Sequence, residues 1–189
     1  VDEAAIEKFG QWPWKRDVLA GIIDNLRAHG AGVIVMPILL SENDRLGGDT
    51  EFAQSMNYSR TVLPIFEYGN NKFPKPTGTV IMGDDIGGYL ARGTLESIPE
   101  LTNTSHTTQG IATAPVDVDN LVRRLPLLYR IPDGWLPAYA TQVLKMLAEA
   151  DTYIIKTNNN GLEQVIVQGL PPIKVARLHL RCFHIHCST

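Results

Sequence analysis

Cysteine is nearly absent from this sequence: its 189 residues include two, both within the last eight positions. A fold that depends on disulfides is therefore excluded for the rest of the chain, which leaves reducing and oxidising compartments equally open. Long apolar runs are missing as well. The longest, from Val33 to Leu40, is less than half the ~20 residues of a membrane-spanning helix and is interrupted by Pro37. We therefore expect a soluble polypeptide that touches a membrane only through flanking segments.

The sequence also lacks a basic cluster longer than a pair of residues. Lysine and arginine number 17 against 20 aspartates and glutamates, and the net charge is −3. A protein that binds nucleic acid or an anionic membrane needs a basic stripe, so neither partner is expected. The apolar fraction of 44% and the charged fraction of 20% are those of an ordinary globular domain with a core of its own.

Catalytic motifs are missing too. There is no Gly-x-Ser-x-Gly, no glycine-rich phosphate loop ending in Lys-Ser or Lys-Thr, and no His-Glu-x-x-His. The histidines and cysteines of the last residues resemble a metal site, but no second ligand cluster exists elsewhere in the sequence. We predict no enzymatic activity, no cofactor and no metal.

The first third of the chain has the pattern of an α/β fold. Apolar residues at the helical period predict a helix over Pro13 to His29, ended by a glycine. A buried strand over Gly32 to Leu40, a helix from Asp49 to about Met56 with Asp49 as N-cap, and a second buried strand over Thr61 to Phe66 follow. Helix–strand alternation with short connections predicts a parallel sheet.

The second half has a different pattern. Tyr68 to about Ser105 is rich in glycine, proline and polar residues and predicts a long, partly structured excursion that serves as a lid or partner surface. Three further elements are then predicted in order: a hairpin of Gln109 to Val116 with Leu121 to Ile131, a helix over Leu136 to Ala148, and a closing hairpin of Thr152 to Ile155 with Leu162 to Val167. The predicted fold class is α/β, a layered αβ sandwich around a mixed, partly parallel sheet with additional β-hairpins in the C-terminal half.

The first motif, Trp12 to Arg16, places Lys15 and Arg16 in the first turn of a helix. Each cation opposes the helix dipole there by about 0.3–1 kcal/mol, so an anionic group must offset them. That group is either a structural carboxylate such as Asp49 or Asp119, with Trp12 and Trp14 in the core, or an anion brought by a ligand. The structural alternative is favoured because aromatic burial near helix starts is common.

The second motif, Asp117 to Arg124, has two aspartates and an asparagine in a tight turn. Such a turn either binds calcium or forms local bonds from side chain to backbone, and the second is favoured because the bidentate acid of a calcium loop is missing. Arg123 and Arg124 are expected to point to opposite faces of a strand, one inward and one to solvent.

Together these motifs resemble the second class of CHASE domains, extracellular sensory modules of bacterial adenylate cyclases, histidine kinases and serine/threonine kinases. The resemblance rests on both motifs in the right order and on the elements between them: Val1-Asp2-Glu3, Gly10 to Arg16, the Leu19 to Leu26 helix, Gly32 to Glu42, Asp49 to Ala53, and Asp117 to Leu127. Two positions depart from the family pattern: Pro37 stands where an aspartate is usual, and Asn120 replaces a glycine but tolerates the same backbone conformation.

The resemblance covers residues 1–174, which we expect to form one sensory domain. The composition of residues 175–189 shifts to histidine, arginine and cysteine, so this tail is expected to be foreign to the domain or disordered.

The resemblance implies an extracytoplasmic input domain of a transmembrane receptor that passes a small-molecule or environmental signal to a cytoplasmic output domain, in a homodimeric parent. The alternative is a dimerisation scaffold whose partner surface is the Tyr68 to Ser105 excursion. A ligand site is predicted at the C-terminal ends of the first strands. Its residues are Trp12, Trp14, Arg16, Asp49, Asp119 and Arg123, and the Arg16 region is expected to meet the Asp119–Arg123 turn in space.

Overall fold

Helices and strands alternate through the first third of the chain, and strands dominate the rest. The computed structural model describes residues 2–84, 87–159 and 161–175. The helices are α1 (Glu3–Phe9), α2 (Arg16–Ala28), α3 (Asp49–Asn57), α4 (Pro99–Thr102) and α5 (Tyr139–Leu147). The strands are β1 (Ile34–Val35), β2 (Thr61–Glu67), β3 (Thr79–Met82), β4 (Tyr89–Leu90), β5 (Thr94–Leu95), β6 (Thr107–Ile111), β7 (Leu128–Ile131), β8 (Gly134–Pro137), β9 (Tyr153–Asn158), β10 (Gly161–Val167) and β11 (Ile173–Lys174).

These strands form three sheets. The first centres on β2, which pairs in parallel with β1 and β6 and antiparallel with β5. The second has the order β11-β10-β9-β3, antiparallel except for the parallel pair of β3 and β9. The third has the order β4-β7-β8. The predicted α/β class with a mixed, partly parallel sheet and hairpins in the C-terminal half is confirmed.

The largest core lies between α2, α3 and the first sheet. One stripe of α2, with Leu19, Ala20 and Ile23, is buried against Phe52 and Met56 of α3. Burying a large apolar side chain stabilises the fold by about 1.5–3 kcal/mol. This packing fixes the start of α2 beside the start of α3, which positions the first motif.

Several boundaries in the first third differ from the prediction. Helix α1, which the sequence analysis did not predict, begins at Glu3, and the Asp2 side chain accepts the Ala5 N–H. Helix α2 begins at Arg16 rather than Pro13. The strand expected over 32–40 is limited to β1, because after Met36 the chain reaches Pro37, which has no N–H to donate to β2.

The predicted hairpin of residues 109–116 with 121–131 is wrong. Strand β6 is parallel to β2, and β7 pairs antiparallel with β8 across Pro132 and Asp133. The apolar run from Leu136, expected to be helical throughout, begins as β8 and becomes helical at Tyr139. Apolar spacing alone does not distinguish a strand that is buried on both faces from the buried face of a helix.

The excursion over 68–105 is partly structured, as predicted, and contains β3, β4, β5 and α4. The closing hairpin is confirmed as β9 and β10, although Asn160 of its turn lies outside the described residues. Of the tail, Val175 donates its N–H to Glu163 O, and residues 176–189 lie outside the described part. No helix among the described residues has the length and hydropathy needed to cross a membrane.

Candidate functional site

Of the two tryptophans in the first motif, one has a buried ring and the other an exposed ring. Trp14 is packed into the α2–α3 core and donates its Nε1–H to Gly10 O at 2.8 Å. Trp12 is 40% exposed and meets Trp14 edge to face, with ring centroids 5.5 Å apart. Only Trp14 therefore fills the core, and Trp12 presents a large ring to solvent.

Arg16 is buried and bound by a loop that wraps the start of α2. Its Nε donates to Asp49 Oδ1 at 3.1 Å, and one terminal nitrogen donates to Glu42 O at 3.1 Å. Its backbone N–H donates to Asp44 Oδ2 at 2.9 Å. Asp49 also accepts the Asp44 N–H at 2.9 Å, so the two acids and the arginine form one network, here called the Arg16 cluster. The ion pair with Asp49 confirms the structural alternative for Arg16, but the same alternative was wrong in placing Trp12 in the core.

The sequence predicts Asp49 as the N-cap of α3, and its ion pair with Arg16 explains why it does not serve as one. The cap of α3 is Gly48, at φ 97°, and the Asp49 carboxylate points to Arg16 instead. A Cβ on Gly48 would lie 2.9 Å from Asp17 N and 3.1 Å from Arg16 Cβ. Glycine is therefore required for the loop to approach α2 this closely.

Asp44 makes the Arg16 cluster sensitive to pH. A hydrogen bond from Leu46 N–H lowers the pKa of Asp44 most, partial burial opposes it, and the N–H and charge of Arg16 lower it further. A carboxyl group whose pKa is lower in the folded chain than in the unfolded chain stabilises the fold at any pH above its unfolded-state pKa. This stabilisation is lost as the pH falls through its folded-state pKa.

We expect Asp44→Asn to flatten the loss of stability below about pH 4, the ordinary range of an aspartate. Urea unfolding of the 189-residue chain at pH 3 to 7 measures the slope. Thr50→Ala, an exposed neutral position beside Asp49, serves as the matched control, and its curve should run parallel to that of the native chain. An Asp44→Asn curve parallel to the native one would contradict the assignment.

The second motif forms a self-contained turn. Arg123 binds both oxygens of Asp119, at 2.8 and 2.7 Å, and Arg124 binds Asp117 at 2.8 Å. Asp119 Oδ1 also accepts the Leu121 N–H at 3.3 Å, and Asn120 adopts φ 62°. The local-turn interpretation and the tolerance of Asn120 for positive φ are confirmed. The opposite-face prediction for Arg123 and Arg124 is wrong, because no strand forms here and both arginines reach back to Asp117.

The carboxylates of this turn are held by arginines. Hydrogen bonds from Arg124 and Arg123 lower the pKa of Asp117, and the bond from Arg123 lowers that of Asp119. The same bonds raise the pKa of Arg123. The turn is exposed, so these pairs are screened by solvent and contribute little to stability.

The two motifs do not join into the single polar cluster that was predicted. Arg16 lies with Asp49, and Arg123 lies with Asp119, but within residues 2–84, 87–159 and 161–175 no hydrogen bond or ion pair connects the pairs. The physical reason is that each arginine is satisfied locally. Arg16 is bound by the loop that precedes α3, and Arg123 by acids four and six residues before it in its own turn.

A polar cluster that the sequence analysis missed lies at the carboxyl ends of the parallel strands. Glu67, the last residue of β2, has a side chain only 6% exposed. It accepts the Tyr89 hydroxyl at 3.1 Å and the Arg92 N–H at 3.2 Å, and its own N–H donates to Thr113 Oγ1 at 2.7 Å. The missed signal was an acid directly after a buried strand, the position at which open α/β sheets bind ligands.

Two tyrosines complete this Glu67 cluster. The Tyr89 and Tyr129 rings meet edge to face at 5.5 Å, and Tyr129 donates its hydroxyl to Thr113 O. Burial and then the charge of Glu67 raise the pKa of both hydroxyls. The cluster therefore connects β2 to β4, to β7 and to the segment after β6.

A cleft of about 240 Å³ lies beside β6, between β6, β8 and α5, and residues 74–77 line another side of it. Its polar lining includes Thr108, Gln109, Gln142 and Lys145, and its apolar lining includes Ile65. Local sequence patterns do not indicate this cleft, because five separate parts of the chain contribute to it. We call it the β6–α5 cleft.

The acids of the two motifs are engaged with arginines in the part of the chain that the structure describes. No group of three or more His, Cys, Asp and Glu side chains in that part of the chain is placed to hold a metal ion. In both motifs the acids and bases bind one another and not an accessible nucleophile.

Comparison with known proteins identifies the family. The model of the CHASE2 domain matches residues 1–182, so the chain belongs to the CHASE2 domain family. The members of this family are extracellular sensory domains of receptors, and they are not catalytic. No curated protein and no solved structure matches the chain significantly. The matched range runs past residue 174, at which the sequence predicts the domain to end.

Proposed function

We propose that this chain is the extracytoplasmic input domain of a bacterial transmembrane receptor whose cytoplasmic part is an adenylate cyclase, a histidine kinase or a serine/threonine kinase. The observation that carries the proposal is membership of the CHASE2 family over nearly the whole chain. The domain would favour one of two arrangements of the attached membrane segments when a small molecule or an environmental signal acts on it.

Ligand binding by the six predicted residues remains a proposal, and the six differ in how well their exposure suits direct contact. Trp12 is the member best suited to direct contact, because its ring is 40% exposed beside the buried Trp14. Arg16 and Asp49 have side chains only 10% and 13% exposed and bind each other, so they are less suited to meeting a ligand. Asp119 and Arg123 are exposed and form a charge-neutral surface beside several exposed apolar residues.

The test of this function measures the output of the receptor that carries the domain, in bacterial membranes. Residues 1–175 are replaced by a leucine zipper that keeps the parent dimeric, and cyclase or kinase activity is recorded in media that differ in pH, osmolarity and carbon source. We expect the intact receptor to change its output in at least one medium and the zipper receptor to stay constant. Equal responses of both receptors would contradict a sensory role.

A second candidate function is dimerisation of the receptor without a ligand. It is favoured by β3, an edge strand within the 68–105 excursion whose Val80 and Met82 are each 51% exposed. An uncovered edge strand with apolar side chains is suited to pairing with a second copy. In the experiment above, a zipper receptor that recovers the full level and the full regulation of output would favour this scaffold.

A further inference from the structure

Strand β3 has one edge that no described strand covers. It lies at the end of the second sheet, where β9 is its one partner among the described strands. Because Tyr153 N–H donates to Gly78 O at 3.0 Å, residues 78, 80 and 82 direct their backbone groups toward β9, and Thr79 and Ile81 direct theirs to the opposite side. On that side no hydrogen bond joins Thr79 or Ile81 to a described residue. Their N–H and C=O groups are therefore left for solvent or for a partner strand.

The exposure of the side chains shows that this edge is open. Val80 and Met82, on the outer face of the sheet, are each 51% exposed. Ile81 packs against the core on the other face but is only partly buried, whereas Ile155, its neighbour on β9, is 0% exposed. Both isoleucines contact the same core, so the difference comes from the missing neighbour on the far side of β3.

Strand β3 lacks the features with which proteins usually protect an exposed edge. Such edges are typically very short, bulged, or marked by lysine or proline. The sequence of β3 is Thr-Val-Ile-Met, without charge or proline, and its pairing with β9 has no bulge. The opposite edge of the same sheet, β11, is two residues long, ends in Lys174 and follows Pro171 and Pro172. This contrast favours strand pairing as the role of the β3 edge.

A second copy of β3 can satisfy all the free groups of this edge at once. Two copies related by a two-fold axis normal to the sheet run antiparallel, and the interface is self-complementary. With Val80 at the axis, Thr79 of each copy lies opposite Ile81 of the other, and each such pair exchanges two N–H···O=C bonds. The two Val80 residues then form a non-hydrogen-bonded pair, the type in which opposite side chains are closest.

The neighbouring registers fit less well. A shift by one residue is excluded, because residues opposite each other in an antiparallel pair lie on one face and neighbours along a strand lie on different faces. With Ile81 at the axis, Thr79 would have to pair with Gly83, whose φ of 107° is not that of a strand. With Val80 at the axis, Met82 lies opposite Gly78, which has no side chain to obstruct it.

The outer face of the joined sheet is apolar near the axis. Val80 lies beside Ile154, and Ile154 lies beside Ile166, so one apolar row crosses three strands of each copy. Because β3 has no charged residue, no like charges meet at the axis. Two four-residue strands form a smaller contact than the about 1,200–2,000 Å² of interfaces that are stable alone. The pairing should therefore be weak in the free domain and favoured in copies tethered to one another.

We propose that β3 pairs antiparallel with β3 of a second copy, with the two Val80 residues opposite each other, so that two four-stranded sheets join into one continuous sheet. This inference deepens the second candidate function, since it names the strand and the register through which two copies meet.

Disulfide crosslinking of the 189-residue chain tests the register. Val80→Cys is compared with Met82→Cys, each in a chain whose Cys182 and Cys187, which lie outside the described residues, are replaced by serine. The two positions share one strand, one face and an exposure of 51%. In the proposed pair the two Val80 positions are opposite each other, whereas the two Met82 positions are four residues apart along the strands, about 13 Å and too far for a disulfide.

We expect Val80→Cys to form a disulfide-linked dimer under mild oxidation at least tenfold faster than Met82→Cys, as measured on non-reducing gels. Equal rates for the two variants, or a faster rate for Met82→Cys, would overturn the proposal.

Sedimentation velocity over a range of protein concentrations measures the pairing without a crosslink. The native chain should show a monomer–dimer equilibrium. Val80→Lys places two ammonium groups opposite each other at the axis and should weaken this association at least tenfold, while circular dichroism and the urea midpoint report a retained fold. Val116→Lys, at a valine that is 58% exposed outside β3, is the matched control and should associate as the native chain does. A native chain that stays monomeric, or native association of Val80→Lys, would overturn the proposal.

The same substitution in the receptor separates this inference from the candidate function. Loss of output in the Val80→Lys receptor, together with full output from the zipper receptor, supports both. Preferential crosslinking at Val80 in the 189-residue chain, with native output from the Val80→Lys receptor, overturns the scaffold function and leaves the β3 pairing. Full output from the zipper receptor, without preferential crosslinking at Val80, overturns the β3 pairing and leaves the scaffold function.

Discussion

Replacing Arg16 with methionine should destabilise the domain by about 3–5 kcal/mol, the usual effect of removing one partner of a buried ion pair. The Arg16 and Asp49 side chains are 10% and 13% exposed, and Glu42 O would lose its donor as well. The expected result is a lower urea midpoint with an unchanged dependence on urea concentration, measured by fluorescence of the tryptophans.

Two further variants make this result specific. Arg27→Ala removes the exposed ion pair with Asp24 at the other end of the same helix, where both side chains are 48% exposed, and should change stability by less than about 1 kcal/mol. Arg16→Met combined with Asp49→Leu should recover part of the loss, because no carboxylate then remains buried without its cation. An Arg16→Met domain as stable as Arg27→Ala would show that the cluster does not hold α2 to α3.

Replacing Gly93 with alanine should destabilise the domain by about 2–6 kcal/mol. Gly93 adopts φ 139°, which strains any residue with a side chain by about 1–3 kcal/mol. A Cβ there would lie 2.3 Å from Tyr68 O and 2.6 Å from Asn71 N, so backbone must move, and overpacking of this kind typically costs about 1–3 kcal/mol more. Urea unfolding measures the sum.

Gly69→Ala is the matched control for Gly93→Ala. Gly69 lies next to Tyr68, has nothing within 4 Å of an added Cβ and has no positive φ. Alanine there should leave the fold intact or stabilise it by about 0.4–1 kcal/mol, since it restricts the unfolded chain. Equal effects of the two substitutions would contradict the close contact between residues 68–71 and Gly93.

The sequence predicted those elements whose own periodicity decides them. Helix α2, strand β2 and the closing hairpin follow from apolar spacing and from an Asn-Gly turn, which are local signals. Local signals could not predict the pairing of β6 with β2. The register between strands that are distant in sequence is fixed by packing and not by the sequence neighbours of each strand. The same limit explains why β7 was assigned to the wrong partner.

The candidate site, like the fold, was predicted only in part. The need for an acid beside Arg16 followed from helix electrostatics and correctly included Asp49. The meeting of Arg16 with the Asp119 turn required knowledge of where a distant loop lies, and each arginine instead found acids close to it in the fold. The sequence analysis missed Glu67 and the β6–α5 cleft. Local residues do not determine which side chains are buried or which distant segments come together.

The parallel pairing of β3 with β9 has a consequence for synthesis of the chain. Thr79 pairs with Tyr153, so β3 leaves the ribosome long before its partner strand β9 exists. During that interval Val80 and Met82 belong to an incomplete sheet, and contacts so distant in sequence form slowly. Strand β3 therefore depends on the final hairpin for its order, and the nascent chain is most vulnerable to misassociation just before that hairpin emerges.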